Sequence, residues 1–348
     1  MNKKVTIQDI ADALGISRNT VSKAINNAEG LADATRERIL QKAVEMGYKQ
    51  FSYVEALAGN GFQAAAGSQQ PEYRGEIALL TGSFLTYSHF ASLMLDKFQR
   101  EISQLGYTLN THRVTGQEIR SRTLPPTLHL EQVRGIVCIE LFDWDYDEML
   151  CDLDIPILFV DGPAKRCGRS LKADQLYMDN TSEITRFVGD MLARGLDEIG
   201  FVGDYDHCQS FYERYAAFYL AMEMAGHPVQ PQFNLKYNDP KEIHGFVAGL
   251  QQLPDVWICA NDFVARDLML ALDAAGKQVP TDVRICGFDD SAESRFCNPP
   301  LTTVHIHTQI MAFSAVHLLI SRIKEPSLDY RTIHTETDLI YRSSTGEL

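Results

Sequence analysis

Two groups of polar residues in this 348-residue chain have types and spacing that suit recognition chemistry. Near the N-terminus Arg18, Asn19, Thr20, Ser22, Lys23 and Asn26 follow closely on one another, offering the donors and acceptors that base edges and phosphates require. Farther on, acids and amides close short apolar runs. Asp161 follows Ile157-Leu-Phe-Val, Asn261-Asp262 follow Val256-Trp-Ile-Cys-Ala, and Asp289-Asp290 follow Arg284-Ile-Cys-Gly-Phe. Each of these is also what a loop residue or helix cap looks like. Arg214, one turn after Ser210, adds a planar fork of donors. Carboxylate, amide and guanidinium together suit a polyhydroxylated ligand, because every hydroxyl is both donor and acceptor. No nucleophile and base pair, phosphate-cradling glycine loop or metal-ligand spacing accompanies them, so the chemistry is binding rather than turnover. No cofactor and no metal are expected.

The first group needs a helix to present it, and the local pattern supplies one. Ile7, Ile10, Ala11 and Leu14 recur at the spacing that lays one helix face on a core. Thr6 is placed to cap that helix, with Asp9 in its first turn, and Gly15 to end it. Ser17 caps a second helix whose apolar stripe is Val21, Ala24 and Ile25. A third helix is expected over 33–46, with Ile39, Leu40, Ala43 and Met46 on one side and Gly47 closing it. Three helices in about fifty residues form a small core, marginal in stability, and the polar face of the second is left to enter a major groove. An amphipathic hairpin with a merely solvated face has the same periodicity. What separates the readings is the neighbouring third helix.

The whole chain carries a net charge of −14, which at first argues against a nucleic-acid partner. Its distribution argues otherwise: residues 1–60 hold eight Lys/Arg against seven Asp/Glu, or +1, leaving −15 for the remainder. An acidic body repels a duplex everywhere except at the N-terminal module, which favours one docking orientation and makes binding salt-sensitive. Composition is 45% hydrophobic and 22% charged, with no apolar run long enough to span a bilayer and no apolar leader, so a cytoplasmic protein, nucleoid-associated when bound to DNA and without a membrane partner, is expected. The seven dispersed cysteines read as small buried hydrophobes in a reducing compartment.

Residues 48–71, rich in Gly, Ala, Ser and Gln, read as a hinge and linker. Beyond them apolar runs at 76–81, 135–140, 155–161, 198–203, 256–260 and 283–288 alternate with helical patterns at 88–105, 180–194, 211–225, 241–252, 262–275 and 308–324. Such alternation implies doubly wound α/β lobes with parallel sheets. In those folds ligands settle beyond the carboxyl ends of the strands, which is where the second polar group falls.

These segments resemble the LacI/GalR family of bacterial transcription regulators over essentially the whole chain. Thr6-Ile-Gln-Asp-Ile-Ala, Gly15-Ile-Ser, Thr20-Val-Ser, Asn26, Thr35-Arg-Glu-Arg and Gly47-Tyr48 match the family headpiece in order and spacing. Asp179-Asn180, Leu192-Ala-Arg-Gly, Ile199-Gly-Phe-Val-Gly, Ala260-Asn-Asp, Gly287-Phe-Asp-Asp, Pro299-Pro-Leu-Thr-Thr-Val304 and Arg342-Ser-Ser-Thr match its body. The resemblance implies an α/β protein: a three-helix helix-turn-helix headpiece (1–50), a hinge helix and linker (51–72), and a core (73–348) of two doubly wound lobes of periplasmic-binding-protein type. The first lobe would span about 73–175 and 306–332, the second about 176–305 and 333–348.

By the same resemblance Arg18 and Asn19 set operator choice, with Thr6, Ser17, Thr20, Ser22, Lys23 and Asn26 in supporting base or phosphate contacts. Leu57, beside Ala58 in the hinge helix, would wedge into the minor groove and bend the duplex. Arg214 and Asp289 match the ligand-clamping positions, and Asn261, Asp161 and Ser210 match frequent pocket positions. His89, Phe90 and Glu140 join them from the first lobe. Several positions depart from the family pattern. Gln50 and Ser52 replace a proline and an arginine at the hinge, Ala32 replaces a capping serine with Asp33 beside it, and 83–90 lacks the usual effector-loop sequence.

The expectation is therefore an allosteric regulator, a repressor of a sugar uptake or catabolism operon, controlled by a sugar or sugar derivative. It would work as a homodimer on a pseudo-palindromic operator. With no heptad tail after Arg342-Ser-Ser-Thr, a dimer rather than a tail-assembled tetramer is expected. The rivals are a cytoplasmic solute-binding protein and a regulator whose core answers to a protein co-regulator.

Overall fold

The computed structural model describes residues 6–25, 35, 38–39, 42–43, 46, 72–82, 89–164, 169–236 and 239–346. The chain divides into two compact units, Met1–Pro71 and Glu72–Leu348.

In the first unit the helix Ile7–Leu14 opens with a reciprocal capping box. The Asp9 amide donates to Thr6 Oγ1 at 3.3 Å, and the Thr6 amide donates to Asp9 Oδ2 at 2.8 Å. Gly15 closes the helix at φ 63°, a left-handed conformation that costs a residue with a Cβ. The helix Arg18–Ile25 follows, capped by Ser17, whose Oγ accepts from the Thr20 amide at 3.1 Å. Ile10, Ala11, Val21, Ala24, Ile39 and Ala43 are buried together, with Ile7, Leu14, Ile16 and Met46 packed around them. Asn26 and the hinge positions Leu57 and Ala58 lie outside the described residues.

In the second unit, β1 (Gly75–Thr81), β2 (Tyr107–Arg113), β3 (Val133–Ile139), β4 (Ile157–Val160), β5 (Asp174–Met178) and, from much later in the chain, β10 (Thr332–Thr335) form one parallel sheet. Its order is β10-β5-β4-β3-β1-β2. A second parallel sheet holds β6 (Ile199–Val202), β7 (Val256–Cys259) and β8 (Arg284–Cys286). Beside it β9 (Thr303–Ile306) pairs antiparallel with β11 (Thr337–Ile340). Apolar faces of the flanking helices bury Leu80, Ile136, Tyr146 and Phe159 in the first lobe and Trp257, Leu268 and Ile285 in the second. Among the described residues no helix is long and apolar enough to cross a membrane.

The six strands expected from apolar runs are present, β4, β6, β7 and β8 slightly trimmed and β1 and β3 beginning one and two residues earlier. The structure adds β2, β5, β9, β10 and β11 and the helices Gly116–Ser121 and Trp144–Cys151. β2 and β10 are edge strands of mixed burial, so they lack an apolar run. β5 begins at Asp174, a buried acid bonded to Arg322 and Arg331, and that polarity conceals a central strand. The chain passes between lobes after Met178, between Ile306 and Thr308, and between Thr335 and Thr337. Strand pairing thus carries the first lobe a few residues past 175 and 332. The passages are tied to each other: the Asp179 amide donates to Thr335 O at 2.7 Å, and Thr337 Oγ1 to Asp179 O at 3.0 Å.

Candidate functional site

The carboxyl ends of β1, β3, β4, β7 and β8 all open on one cleft of about 680 Å³ in the second unit. Three residues that follow those strands, Glu140 (φ 56°), Asp161 (φ 59°) and Asp289 (φ 112°), line it with left-handed backbones. Such a conformation costs on the order of 1–3 kcal/mol for a residue other than glycine and persists where the surrounding structure overdetermines it, often at ligand sites. Here each strained turn projects a carboxylate toward the same cavity.

Arg214 stands at the centre of this arrangement. Only 2% exposed, it lies in the second turn of the helix Gln209–Met224. Its Nε donates to Asn180 Oδ1 at 2.9 Å and its Nη1 to Ala260 O at 2.6 Å, while Asp289 Oδ1 lies 3.8 Å away. The Phe288 ring sits 3.5 Å from the guanidinium carbon, so aromatic and polar contacts hold the fork in place before any ligand arrives. Burial lowers its affinity for a proton, an effect countered first by Asp289. Burial pushes the Asp289 carboxyl up to about 8 in spite of the neighbouring guanidinium, and it raises Asp161 as well. Asp161 Oδ1 accepts from the Gly162 amide at 2.8 Å and the Ser210 amide at 3.2 Å, which fixes the N-terminus of the Arg214 helix to the end of β4.

Of the expected effector residues, Phe90, Glu140, Asp161, Ser210, Arg214, Asn261 and Asp289 all line the cleft. His89 opens the helix His89–Gln104, and its side chain lies outside the described residues. Asn261 also serves locally: its Oδ1 accepts from the Val264 amide at 3.0 Å and caps the helix Asp262–Ala274. The acids next in sequence turn away from the cleft and are structural. Asp262 accepts from Thr303 Oγ1 at 2.6 Å and the Ser291 amide at 2.7 Å. Asp290 accepts from His305, Arg295 and Arg342; burial works to raise its carboxyl, and those three partners hold it well below the ordinary range.

Phe142, His207, Phe211, Phe263, Arg266 and Asp267 also line the cleft without having been singled out from the sequence. Each lies within a few residues of a strand end or on the first turns of the following helix, where reading further along each loop would have found it. The rings of Phe142 and His207 meet edge to face at 4.8 Å, and Phe211 stands 5.6 Å from His207 and 5.6 Å from the Arg214 guanidinium carbon, adding aromatic surface beside the polar groups. Among the described residues no cluster of three or more His, Cys, Asp or Glu could hold a metal ion.

On the N-terminal unit, Arg18, Asn19 and Lys23 are exposed on the helix Arg18–Ile25, and Thr20 and Ser22 are partly so. The Thr6, Ser17 and Thr20 hydroxyls are exposed or partly exposed and take part in the caps. The helix therefore buries Val21 and Ala24 and turns a cationic, amide- and hydroxyl-bearing face outward.

Comparison with known proteins agrees with both halves of this description. Residues 6–50 match the bacterial regulatory proteins of the lacI family, and residues 188–345 match the periplasmic binding protein-like domain. The chain is 27% identical over 99% of both sequences to an HTH-type transcriptional repressor PurR of Vibrio parahaemolyticus. It is also 27% identical to an HTH-type transcriptional regulator GalR of Lacticaseibacillus casei, covering 98% of this chain and 99% of that one. In fold it is similar to a transcriptional regulator CelR in complex with cellobiose, at TM-score 0.67 and 21% identity over 98% of this chain and 99% of that one. It is likewise similar to a lac repressor dimer bound to operator and an anti-inducer, at TM-score 0.66 and 21% identity over 99% and 100%. These relatives are transcriptional regulators rather than enzymes. With a helix-turn-helix module followed by a periplasmic-binding-protein-like core, the chain belongs to the LacI family of bacterial transcription regulators.

Proposed function

We propose that this regulator is a homodimeric repressor that reads a pseudo-palindromic operator and is controlled by a sugar or sugar derivative held in the cleft. The observation that carries the ligand reading is the Arg214–Asp289 pair at the base of the cavity. A fork of fixed donors beside an acidic group can grip a hydroxyl from both sides, and Asp161 offers a second such position. Phe90, Phe142, Phe211 and Phe263 supply apolar faces for the C–H side of a pyranose. Arg18 and Asn19 read base edges, with Thr6, Ser17, Thr20, Ser22, Lys23 and Asn26 on bases or phosphates and Leu57 and Ala58 at the minor groove. Ligand changes DNA affinity by the difference in its own affinity for two states of the body.

A second reading favours a flat heteroaromatic base, such as a purine, stacked on the same phenylalanines. Several relatives carrying the PurR name support it. One experiment separates the readings: select the operator from random DNA, then titrate the protein calorimetrically with neutral mono- and disaccharides, amino sugars, purine bases and nucleosides. Heat of binding with the sugars, together with a changed DNA affinity, supports the first reading. Binding confined to the purines establishes the second, and failure to enrich any DNA would revive the solute-binding rival.

A further inference from the structure

Arg214 is held by a line of polar contacts that leaves the cleft and ends on the other lobe. Its Nε donates to Asn180 Oδ1 at 2.9 Å, and the Asn180 amide nitrogen donates to Glu213 Oε2 at 2.8 Å. Asn180 can make both bonds in one orientation, oxygen toward the guanidinium and nitrogen toward the carboxylate. Glu213 Oε1 accepts from Gln209 Nε2 at 2.9 Å and faces His334 Nε2 at 3.7 Å. Gln209, Glu213 and Arg214 belong to one helix of the second lobe, and Asn180 lies where the chain passes between lobes. His334 belongs to β10, the edge strand of the first sheet, its ring stacked on Tyr177 of β5 with centroids 5.3 Å apart.

We propose that Glu213 and His334 are positioning residues for the Arg214 clamp, and that the proton on His334 sets how firmly the guanidinium is held. With the imidazole protonated, the contact is a charge-assisted pair that aligns Glu213, which aligns Asn180, which orients Arg214. With the imidazole neutral, that end of the line is loosened, and so is a tie between the first lobe and the helix that carries the clamp. His334 is exposed and Glu213 mostly buried, so solvent protons reach the histidine while its partner is shielded from water. Burial works to raise the Glu213 carboxyl, and His334, Gln209 and Asn180 together hold it below the ordinary range. The other titratable groups around the line are Tyr177 from β5, Asp161 from the end of β4, Cys208 just before the Arg214 helix, and Asp289 beside Arg214. The consequence for regulation rests on the cleft being the effector site; the relay itself does not.

The test uses the full chain labelled with [15N]arginine and no effector. The Arg214 Nε–H resonance is assigned by its loss in Arg214→Lys and followed from pH 5.5 to 7.0. The resonance moves with pH in the wild type, and the movement is lost in His334→Gln and in Glu213→Gln. Thermal unfolding of both variants checks that they are folded. A resonance that does not move in the wild type overturns the proposal. So does movement that survives in His334→Gln, which assigns it to another group, or in Glu213→Gln, which makes it the direct field of the imidazole. Because no effector is present, failure here leaves the reading of the cleft standing, and an empty ligand panel leaves the relay standing.

Discussion

Asp147 lies in the helix Trp144–Cys151, inside the core of the first lobe, with no exposed surface and no hydrogen-bond partner for either carboxylate oxygen among the described residues. Burial, aided by the nearby Asp143 charge, pushes its carboxyl up to about 8 from an ordinary 3.8. The folded protein therefore keeps a proton there that the unfolded chain releases above about pH 4. An acid that binds its proton more tightly when folded stabilises the fold at low pH, and this contribution is lost as pH rises from the unfolded value to the folded one. Each pH unit in that window is worth about 1.4 kcal/mol, so the step from pH 5 to pH 7 removes about 3 kcal/mol, and the full window about 6 kcal/mol. Against a typical domain stability of about 5–15 kcal/mol, that is a large fraction. Asp147→Asn keeps the shape and needs no proton, so its advantage over the wild type grows with pH at about 1.4 kcal/mol per unit until about pH 8. Urea unfolding followed by tryptophan fluorescence, from Trp144 in the same helix and Trp257 in the second lobe, measures both proteins at pH 5, 6, 7 and 8. Asp161, Asp262 and Asp289, which are also raised by burial, cancel in the difference. A difference between the two proteins that does not change with pH would refute the reasoning.

Arg18→Ala is expected to cost about 1–3 kcal/mol of discrimination at one operator base while leaving ligand binding intact; an equal loss on every sequence in a selected-binding assay would restrict Arg18 to phosphate contact. Arg214→Lys keeps a cation near Asp289 but cannot reach both Asn180 and Ala260, so the ligand response should be lost while ligand-free DNA binding persists, as measured by fluorescence anisotropy with and without the calorimetrically identified ligand. Thr6→Ala removes the capping box and should lower headpiece stability by about 1 kcal/mol, read as earlier melting of the first unit; an unchanged melt would show that the cap carries no stability.

Much of the headpiece was legible because its determinants are local. Thr6 and Asp9, or Ser17 and Thr20, meet across a single turn, and Gly15 marks the helix end by its own backbone. In the body, strands buried on both faces announced themselves as apolar runs, and their ends located Asp161, Asn261 and Asp289. β2, β5 and β10 did not, since an edge strand needs no apolar run and β5 begins on a charge neutralised by arginines at Arg322 and Arg331.

The sequence by itself determined the helix-turn-helix, the alternating α/β body, the polar face carrying Arg18 and Asn19, and most of the polar residues of the cleft. All of these follow from spacings of a few residues and from the rule that strand ends bear ligands. Only the tertiary structure decided which members of adjacent pairs face the cavity: Asp289 inward and Asp290 onto Arg342, Asn261 inward and Asp262 onto Thr303. It alone joined Arg214 through Asn180 and Glu213 to His334 on the opposite lobe, and left the Asp147 carboxylate in the core without a hydrogen-bond partner among the described residues. The physical reason is distance along the chain. A carboxylate's role is set by desolvation and by the charges beside it, and here those neighbours come from strands and helices tens to more than a hundred residues away.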